Sequence, residues 1–193
     1  MKEYNIILAS SSPRRIEMLK NNGIEPIIIK PEVDEALPVK MNMEDAVMFL
    51  AMKKALFVEN SISNQSINKQ SIIIGADTVV YFDRIIGKPE NKEEAFNILK
   101  ELNGKTHLVA TGVSIIVPFS EQRKVFCEIT KVFFKKYSEP DILEYINTDE
   151  PYDKAGGYAI QGNWSKYIDH IEGDFENVIG FPLKRIIDEI RNL

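Results

Sequence analysis

Residues with thiol or imidazole side chains, the usual ligands of transition metals, are scarce in this chain. Its 193 residues include one cysteine and two histidines. A single cysteine excludes a disulfide within the chain and any zinc cluster that needs several thiolates. The histidines, His107 and His170, are far apart in the sequence and show no metal-ligand spacing. We therefore expect Cys127 to be a buried structural thiol and both histidines to be structural or exposed.

Long apolar runs are also missing. No apolar stretch approaches the roughly 18 residues of a membrane-spanning helix, and the first residues lack the apolar run of a signal peptide. The formal net charge of −5 argues against non-specific binding of nucleic acid over a broad surface. These features predict a cytoplasmic protein that binds neither nucleic acid nor membrane, but they leave room for one local basic site.

The hydrophobic pattern predicts an α/β fold. Strands and helices alternate at first, and a β-rich part and further helices follow. We expect one domain, residues 1–193, with a mixed twisted sheet and helices on both of its faces. The expected strands are Asn5–Ala9, Pro26–Ile29 (buried), Ile72–Ile74, a hairpin of Val79–Phe82 with Ile85–Gly87, His107–Val117, Lys124–Phe134 and Trp164–Ile171. Helices are expected after Ser12, Asn42, Asn91 and Ser138 and around Leu183–Ile190, with a surface loop at Ser61–Ser71.

The segment Leu8–Arg15 joins the first strand to the first helix. Ser12 can cap this helix, and Pro13 fits its first position. Arg14 and Arg15 then stand where acidic residues are expected, because a helix N-terminus carries a partial positive charge. Either a ligand phosphate neutralises the two arginines, or they bond acidic side chains elsewhere in the fold; the local sequence favours neither interpretation.

Other charged residues are predicted to lie at the ends of strands and helices. The cations are Arg14, Arg15, Lys54 and Lys88, and the carboxylates are Glu35, Asp77 and Asp153. This mixture suits metal-assisted attack on a polyphosphate, since cations hold phosphates while carboxylates bind Mg²⁺ and one of them activates water. Asp77 is the strongest candidate, because we expect it at the carboxyl end of an apolar strand; otherwise it caps a turn.

Seven segments resemble, in order and spacing, the Maf family of nucleoside triphosphate pyrophosphatases. They are Leu8–Arg15, Glu32–Glu35, Gly75–Thr78, Gly87–Pro89, Leu102–His107, Glu150–Gly156 and Ile179–Leu183. The resemblance covers nearly the whole chain. It implies two lobes around a central cleft, dependence on Mg²⁺ or Mn²⁺, and hydrolysis of a nucleoside triphosphate to the monophosphate and pyrophosphate. It also makes a homodimer an expectation.

The resemblance also assigns roles to individual residues. Asp77 would be the proton acceptor, and Asp77 and Glu35 would face the metal and the water. The predicted catalytic residues are Asp77, Glu35 and Lys88, and the predicted phosphate contacts are Ser10, Arg14, Arg15, Lys54 and Lys88. Three positions resemble the subgroup that acts on dTTP and UTP, in which the residues matching Arg14, Thr78 and Gln161 set the substrate preference. An amide such as that of Gln161 can donate and accept hydrogen bonds at a pyrimidine edge.

Two other functions fit the same residues. One is a pyrophosphatase for non-standard purine nucleotides such as ITP and XTP, and the other is a regulatory protein, linked to cell division, that binds nucleotides without hydrolysing them. The full set of carboxylates and lysines favours turnover over binding alone. The sequence does not rank UTP, dTTP and modified pyrimidine nucleotides, nor does it separate cleaning of the nucleotide pool from control of division.

Overall fold

The computed structural model describes residues 4–62 and 70–193 and has a mixed α/β fold. Most of the loop expected at Ser61–Ser71 lies outside these ranges. The strands are β1 (Asn5–Ala9), β2 (Ile27–Ile28), β3 (Ser71–Phe82), β4 (Arg84–Ile86), β5 (Thr106–Ile116), β6 (Arg123–Phe134) and β7 (Ile168–Glu172). The helices are α1 (Pro13–Asn21), α2 (Met43–Ser61), α3 (Lys92–Leu102), α4 (Glu139–Tyr145), α5 (Phe175–Ile179) and α6 (Leu183–Arg191).

The strands of the described ranges form one mixed sheet with the order β2-β1-β3-β5-β6-β7, and β4 pairs with β3. The chain divides into two compact units. The first comprises Met1–Asp77, Thr111–Glu128 and Gly180–Leu193, and the second comprises Thr78–Ala110 and Ile129–Ile179. The boundary between the units therefore falls within β3, directly after Asp77.

Helices cover both faces of the sheet in the first unit. β1 pairs in parallel with β2 and with β3, and its residues alternate between two apolar clusters. Ile7 contributes to one cluster with Ala55 and Val58 of α2. Leu8 contributes to the other, together with Leu19 of α1 and with Leu183 and Ile186 of α6. This alternation confirms, for this unit, the prediction of helices on both faces.

Two strand predictions were wrong in part. β2 has two residues instead of the expected Pro26–Ile29, and Ile27 and Ile28 are 52% and 45% exposed instead of buried. The reason is that β2 is an edge strand, and a short apolar run does not reveal whether it will be covered. The strand expected at Trp164–Ile171 begins only at Ile168, because the chain first makes a 3₁₀ turn at Ser165–Tyr167.

Cys127, in β6, is half-buried and not fully buried as expected. Burial, and then the carboxylates of Glu44 and Glu128, raise the pKa of its thiol to about 11. Because the thiolate is the reactive form, this cysteine is inert at neutral pH, which agrees with a structural role.

The second unit has an aromatic core that encloses His107. Its Nε2 lies 2.7 Å from the hydroxyl oxygen of Tyr158, with which it shares a hydrogen bond, and the ring packs edge-on against Phe134. Its Nδ1 has no hydrogen-bond partner among the described residues. Burial lowers the pKa of His107 to about 4, so the imidazole is neutral in the folded protein.

We expect His107 to make the protein less stable in acid. The unfolded chain binds a proton below about pH 6.5, whereas the folded protein binds it only near pH 4, so this contribution is complete above pH 6.5 and is lost as the pH falls toward 4. The loss in free energy of unfolding is about 3 kcal/mol. Urea unfolding across this range measures it, with His107→Phe as the comparison. Phenylalanine loses the Tyr158 hydrogen bond at every pH, so parallel pH profiles for the two proteins would contradict the assignment.

Candidate active site

A buried lysine joins two carboxylates in the first unit. Nζ of Lys54, on α2, lies 2.6 Å from Oδ1 of Asp77 and 2.7 Å from Oε1 of Glu35. The side chains of Lys54 and Asp77 are each 11% exposed, whereas that of Glu35 is 60% exposed. The group therefore has a buried end at Asp77 and an open end at Glu35.

The sequence brings Lys54 to this place by a close contact between α2 and β3. Asn42 caps α2 as predicted, since its side chain accepts a hydrogen bond from the backbone N–H of Asp45 at 2.8 Å. Facing α2, β3 carries Gly75, and a Cβ at that position would lie closer than 3.0 Å to the carbonyl oxygen of Ala51. Lys54 follows Ala51 by about one turn, so the missing side chain lets the helix approach closely enough for the lysine to reach the strand.

Asp77 lies within β3, and the prediction that it follows the end of its strand was wrong. β3 continues through Gly75 to Phe82, because this glycine accommodates a helix and does not start a turn. The parallel register pairs Ala9 with Gly75, and β1 ends there. Asp77 thus stands just past the carboxyl end of β1, a usual place for functional groups in sheets with parallel strands.

The protonation of Asp77 is governed by opposing effects. Its pKa is raised above the usual value for an aspartate by burial, and the charge and hydrogen bond of Lys54, followed by the charge of Arg15, offset only part of this rise. Glu35 raises it further by repulsion. A carboxylate that is buried but paired with cations is a reasonable general base.

Arg15 donates hydrogen bonds to two backbone carbonyls and to a serine hydroxyl. Its Nη1 donates to the carbonyl of Ala76 at 2.8 Å and to Oγ of Ser10 at 3.2 Å, and its Nε donates to the carbonyl of Gly180 at 2.9 Å. Burial lowers the pKa of Arg15 to about 10, so it stays charged at neutral pH. Neither interpretation of the arginine pair anticipated these contacts, in which Arg15 ties the loop after β1 to β3 and to the segment before α6.

Ser10 also accepts a hydrogen bond, at 3.2 Å, from the backbone N–H of Ser12. Ser12 occupies the N-cap position of α1, but its side chain makes no capping hydrogen bond, so the prediction that it caps the helix through its hydroxyl was wrong. Ser10 is buried, and Arg14 is half-buried and lies close enough to Arg15 to lower its pKa by repulsion. Pro13 begins α1 as predicted.

The structure therefore brings most of the predicted residues of the first unit together. Ser10, Arg14, Arg15, Glu35, Lys54 and Asp77 are linked by contacts or by charge. The carbonyl groups of Ala76 and Gly180 were not predicted as part of this site, because a backbone acceptor leaves no signature in residue type. The other four candidates belong to the second unit, and Asp153 among them is exposed in a 3₁₀ turn, Glu150–Asp153, where it pairs with Lys154. Thr78 is half-buried in β3, Lys88 is exposed after β4, and Gln161 is exposed in a turn.

The carboxylates fit a divalent cation. Oδ1 of Asp77 and Oε1 of Glu35 converge on one cationic atom, Nζ of Lys54. In the ranges that the structure covers, no group of three or more His, Cys, Asp or Glu side chains is placed to hold a metal by itself. Mg²⁺ is usually held by one or two carboxylates together with water and substrate phosphates, so two converging oxygens suit it.

Among the helices of residues 4–62 and 70–193, none is both long enough and apolar enough to cross a lipid bilayer.

Comparison with known proteins gives a consistent result. Residues 5–193 match the family model described as "Maf-like protein". A dTTP/UTP pyrophosphatase of Caldicellulosiruptor bescii is 48% identical over 182 residues, which are 94% of this chain and 90% of the relative. Proteins with the same name from Bacillus anthracis and Acetivibrio thermocellus are 44% and 40% identical, over 96% and 97% of this chain and 94% of each relative. Identity of this extent over nearly the full length of both partners, together with the family match, shows that the chain belongs to the Maf family.

Proposed function

We propose that this protein is a nucleoside triphosphate pyrophosphatase that hydrolyses dTTP and UTP to the monophosphate and pyrophosphate. The observation that carries the proposal is the position of Lys54 between the carboxylates of Asp77 and Glu35. Relatives that are 40% to 48% identical to the chain are named for this activity, which supports the choice of substrates. Modified pyrimidine nucleotides are further proposed substrates, which would give the enzyme a role in cleaning the nucleotide pool.

Asp77 is the proposed general base. It accepts a proton from a water molecule while the water oxygen forms a bond to the α-phosphorus, and the bond from that phosphorus to the bridging oxygen breaks to release pyrophosphate. Lys54 favours the ionised form of Asp77, because its charge and hydrogen bond lower the pKa of that carboxyl. Arg15 holds Ser10 and the backbone of Ala76 in place beside it.

Asp77 and Glu35 are the residues proposed to hold Mg²⁺ or Mn²⁺. When bound, such an ion supplies positive charge that neutralises the developing charge of the pyrophosphate leaving group. Lys54, which pairs with both carboxylates, is the residue proposed to contact a substrate phosphate beside them.

The remaining roles come from the family resemblance. Ser10, Arg14, Arg15 and Lys88 are proposed to contact phosphates, with Lys88 also sharing in catalysis, and Arg14, Thr78 and Gln161 are proposed to set the substrate preference. We also propose that residues 1–193 act as a single domain, since the chain passes between its two units within three strands, β3, β5 and β6. A cytoplasmic location and a homodimer stay predictions.

A turnover panel tests the proposed function. Purified protein with Mg²⁺ is assayed for pyrophosphate release from dTTP, UTP, dCTP, ITP and XTP. We expect kcat/KM for dTTP and UTP to exceed that for ITP and XTP by at least about a hundredfold, because a site that hydrogen-bonds one base leaves its polar groups unpaired with another. Preference for ITP would favour the purine alternative, and saturable binding of dTTP without pyrophosphate would favour the regulatory one.

Removal of metal tests whether the enzyme needs the proposed divalent ion. EDTA should abolish turnover of dTTP, and excess Mg²⁺ or Mn²⁺ should restore it, since two carboxylates hold such an ion only together with water and substrate. Full activity in EDTA would contradict the assignment of Asp77 and Glu35 as metal ligands.

A further inference from the structure

The turn that carries Gln161 is held by one carboxylate in the second unit. Oε1 of Glu150 accepts hydrogen bonds from the hydroxyl of Tyr145 at 3.0 Å and from the backbone N–H of Asn163 at 3.1 Å. Its Oε2 lies 3.3 Å from the same N–H. The carbonyl oxygen of Glu150 accepts a further hydrogen bond, at 2.8 Å, from Nζ of Lys154. The carboxylate is therefore fixed in position, because its oxygens accept hydrogen bonds both from the turn and from α4.

Gly162 lets this carboxylate approach the turn. A Cβ on Gly162 would lie 2.5 Å from Cδ of Glu150, closer still to Oε1, and 2.9 Å from the Cβ of Ala159, so alanine there requires the carboxylate to leave its place. The φ angle of Gly162 is not among the positive values, so alanine is opposed by these contacts and not by backbone strain. The lack of a side chain at Gly162 thus makes the contact with Glu150 possible.

The aromatic core anchors the residue that follows Asn163. Trp164 is buried, and its ring lies 4.6 Å from that of Tyr145 and 4.8 Å from that of Tyr137, measured between centroids. Tyr145 therefore both packs on Trp164 and donates to Glu150. Both anchors follow Gln161 closely in the chain, and the side chain of Gln161 itself is exposed.

We propose that Glu150 is a positioning residue that fixes the Gln161 turn and thereby sets the selectivity among pyrimidine bases. This inference rests on the proposed function and on the role of Gln161 within it. Glu150 acts through the backbone of Gly162 and Asn163, without touching the substrate. An amide recognises a base edge only when its donor and acceptor are held at a defined place. Loss of the anchor therefore lowers the ratio of kcat/KM values between the preferred base and its competitor.

The test compares kcat/KM for dTTP with kcat/KM for dCTP, a ratio that is insensitive to the amount of folded enzyme. Glu150→Ala should lower the ratio at least about tenfold, and Gln161→Ala should lower it similarly. The double variant should be no less selective than Gln161→Ala alone, because Glu150 acts through Gln161. Glu150→Gln keeps an oxygen at the Oε1 position and should retain the ratio.

Two further variants separate positioning from a general loss of structure. Gly162→Ala should lower the ratio strongly in the wild-type background and less in Glu150→Ala, where the contact with the Cβ of Ala159, 2.9 Å away, remains but the colliding carboxylate is gone. Glu144→Ala removes an exposed carboxylate of the adjoining helix α4 and should leave the ratio unchanged. If Glu150→Ala does not fold, the other two variants still test the positioning role. The role requires that Gly162→Ala lower the ratio and that Glu150→Gln retain it.

The outcomes separate the positioning role of Glu150 from the proposed pyrophosphatase function. Absence of turnover in the wild-type protein overturns the proposed function. Turnover with a ratio that Gln161→Ala lowers but Glu150→Ala and Gly162→Ala leave unchanged overturns the positioning role alone. A ratio unaffected by Gln161→Ala overturns the positioning role together with the assigned role of Gln161, but leaves the pyrophosphatase function standing.

Discussion

Asp77→Asn is expected to lower kcat for dTTP by about a thousandfold or more, with nucleotide affinity within a few-fold of wild type. Asparagine has nearly the shape of aspartate, and its Oδ1 can still accept the hydrogen bond that Lys54 donates at 2.6 Å. It cannot accept a proton from water, and general-base catalysis of this kind contributes about 10²- to 10⁴-fold. It also lacks the negative charge with which Asp77 would help to hold the metal, so the loss lies toward the upper end of that range.

Steady-state release of pyrophosphate measures the turnover, and calorimetric titration with an α,β-methylene analogue of dTTP measures the binding. Asp83→Asn is the matched control. It changes an exposed carboxylate in the turn after the same strand, at a φ of 57° that asparagine also tolerates, and it should leave both quantities unchanged. Turnover near the wild-type rate in Asp77→Asn would refute the role of this residue as the proton acceptor.

The sequence predicts the local features of this fold well. The caps at Asn42, Asn91 and Ser138 form as expected, because each depends on residues three positions apart, whose geometry the helix itself defines. The hairpin of β3 and β4 also forms, with Asp83 at its turn. Such signals need no knowledge of the tertiary fold.

Features that depend on distant parts of the chain were predicted less well. Ile27 and Ile28 have the composition of a buried strand, but the order of strands leaves them at an edge. The carbonyls of Ala76 and Gly180, to which Arg15 donates, were not among the partners expected for this arginine. Backbone acceptors are alike in every residue, so no pattern of side chains could reveal these partners.

The candidate site has one feature that the sequence predicted and one that depends on a distant part of the chain. Charge alone predicted that Lys54, Glu35 and Asp77 belong to one site, and the contacts between them agree with this grouping. The sequence did not show that Lys54 bonds to the carboxylates, because the residue that makes this possible is Gly75, and the strand was expected to end before it, at Ile74. A glycine within a strand can instead mark the close approach of another backbone.

Gly75→Ala is therefore expected to damage both stability and activity. The added methyl group would meet the carbonyl oxygen of Ala51, a backbone atom that can move only if α2 moves. Overpacking of this kind costs up to about 3 kcal/mol in the free energy of unfolding. Displacement of α2 by about 1 Å also draws Lys54 away from Asp77, and a misplacement of that size lowers kcat by about a hundredfold. Urea unfolding measures the first effect, and the rate of pyrophosphate release per folded molecule measures the second.

Two control variants show whether the contact with α2 is responsible. A Cβ on Gly87 would meet nothing within 4 Å, so Gly87→Ala should leave the free energy of unfolding unchanged. Ala55→Gly combined with Gly75→Ala removes the neighbouring Ala55 side chain but not the Ala51 carbonyl, so it should restore neither stability nor activity. Recovery in this double variant, or a Gly75→Ala protein as stable and active as wild type, would mean that the approach of α2 to β3 does not place Lys54. The position of the lysine would then depend on its two carboxylate partners alone.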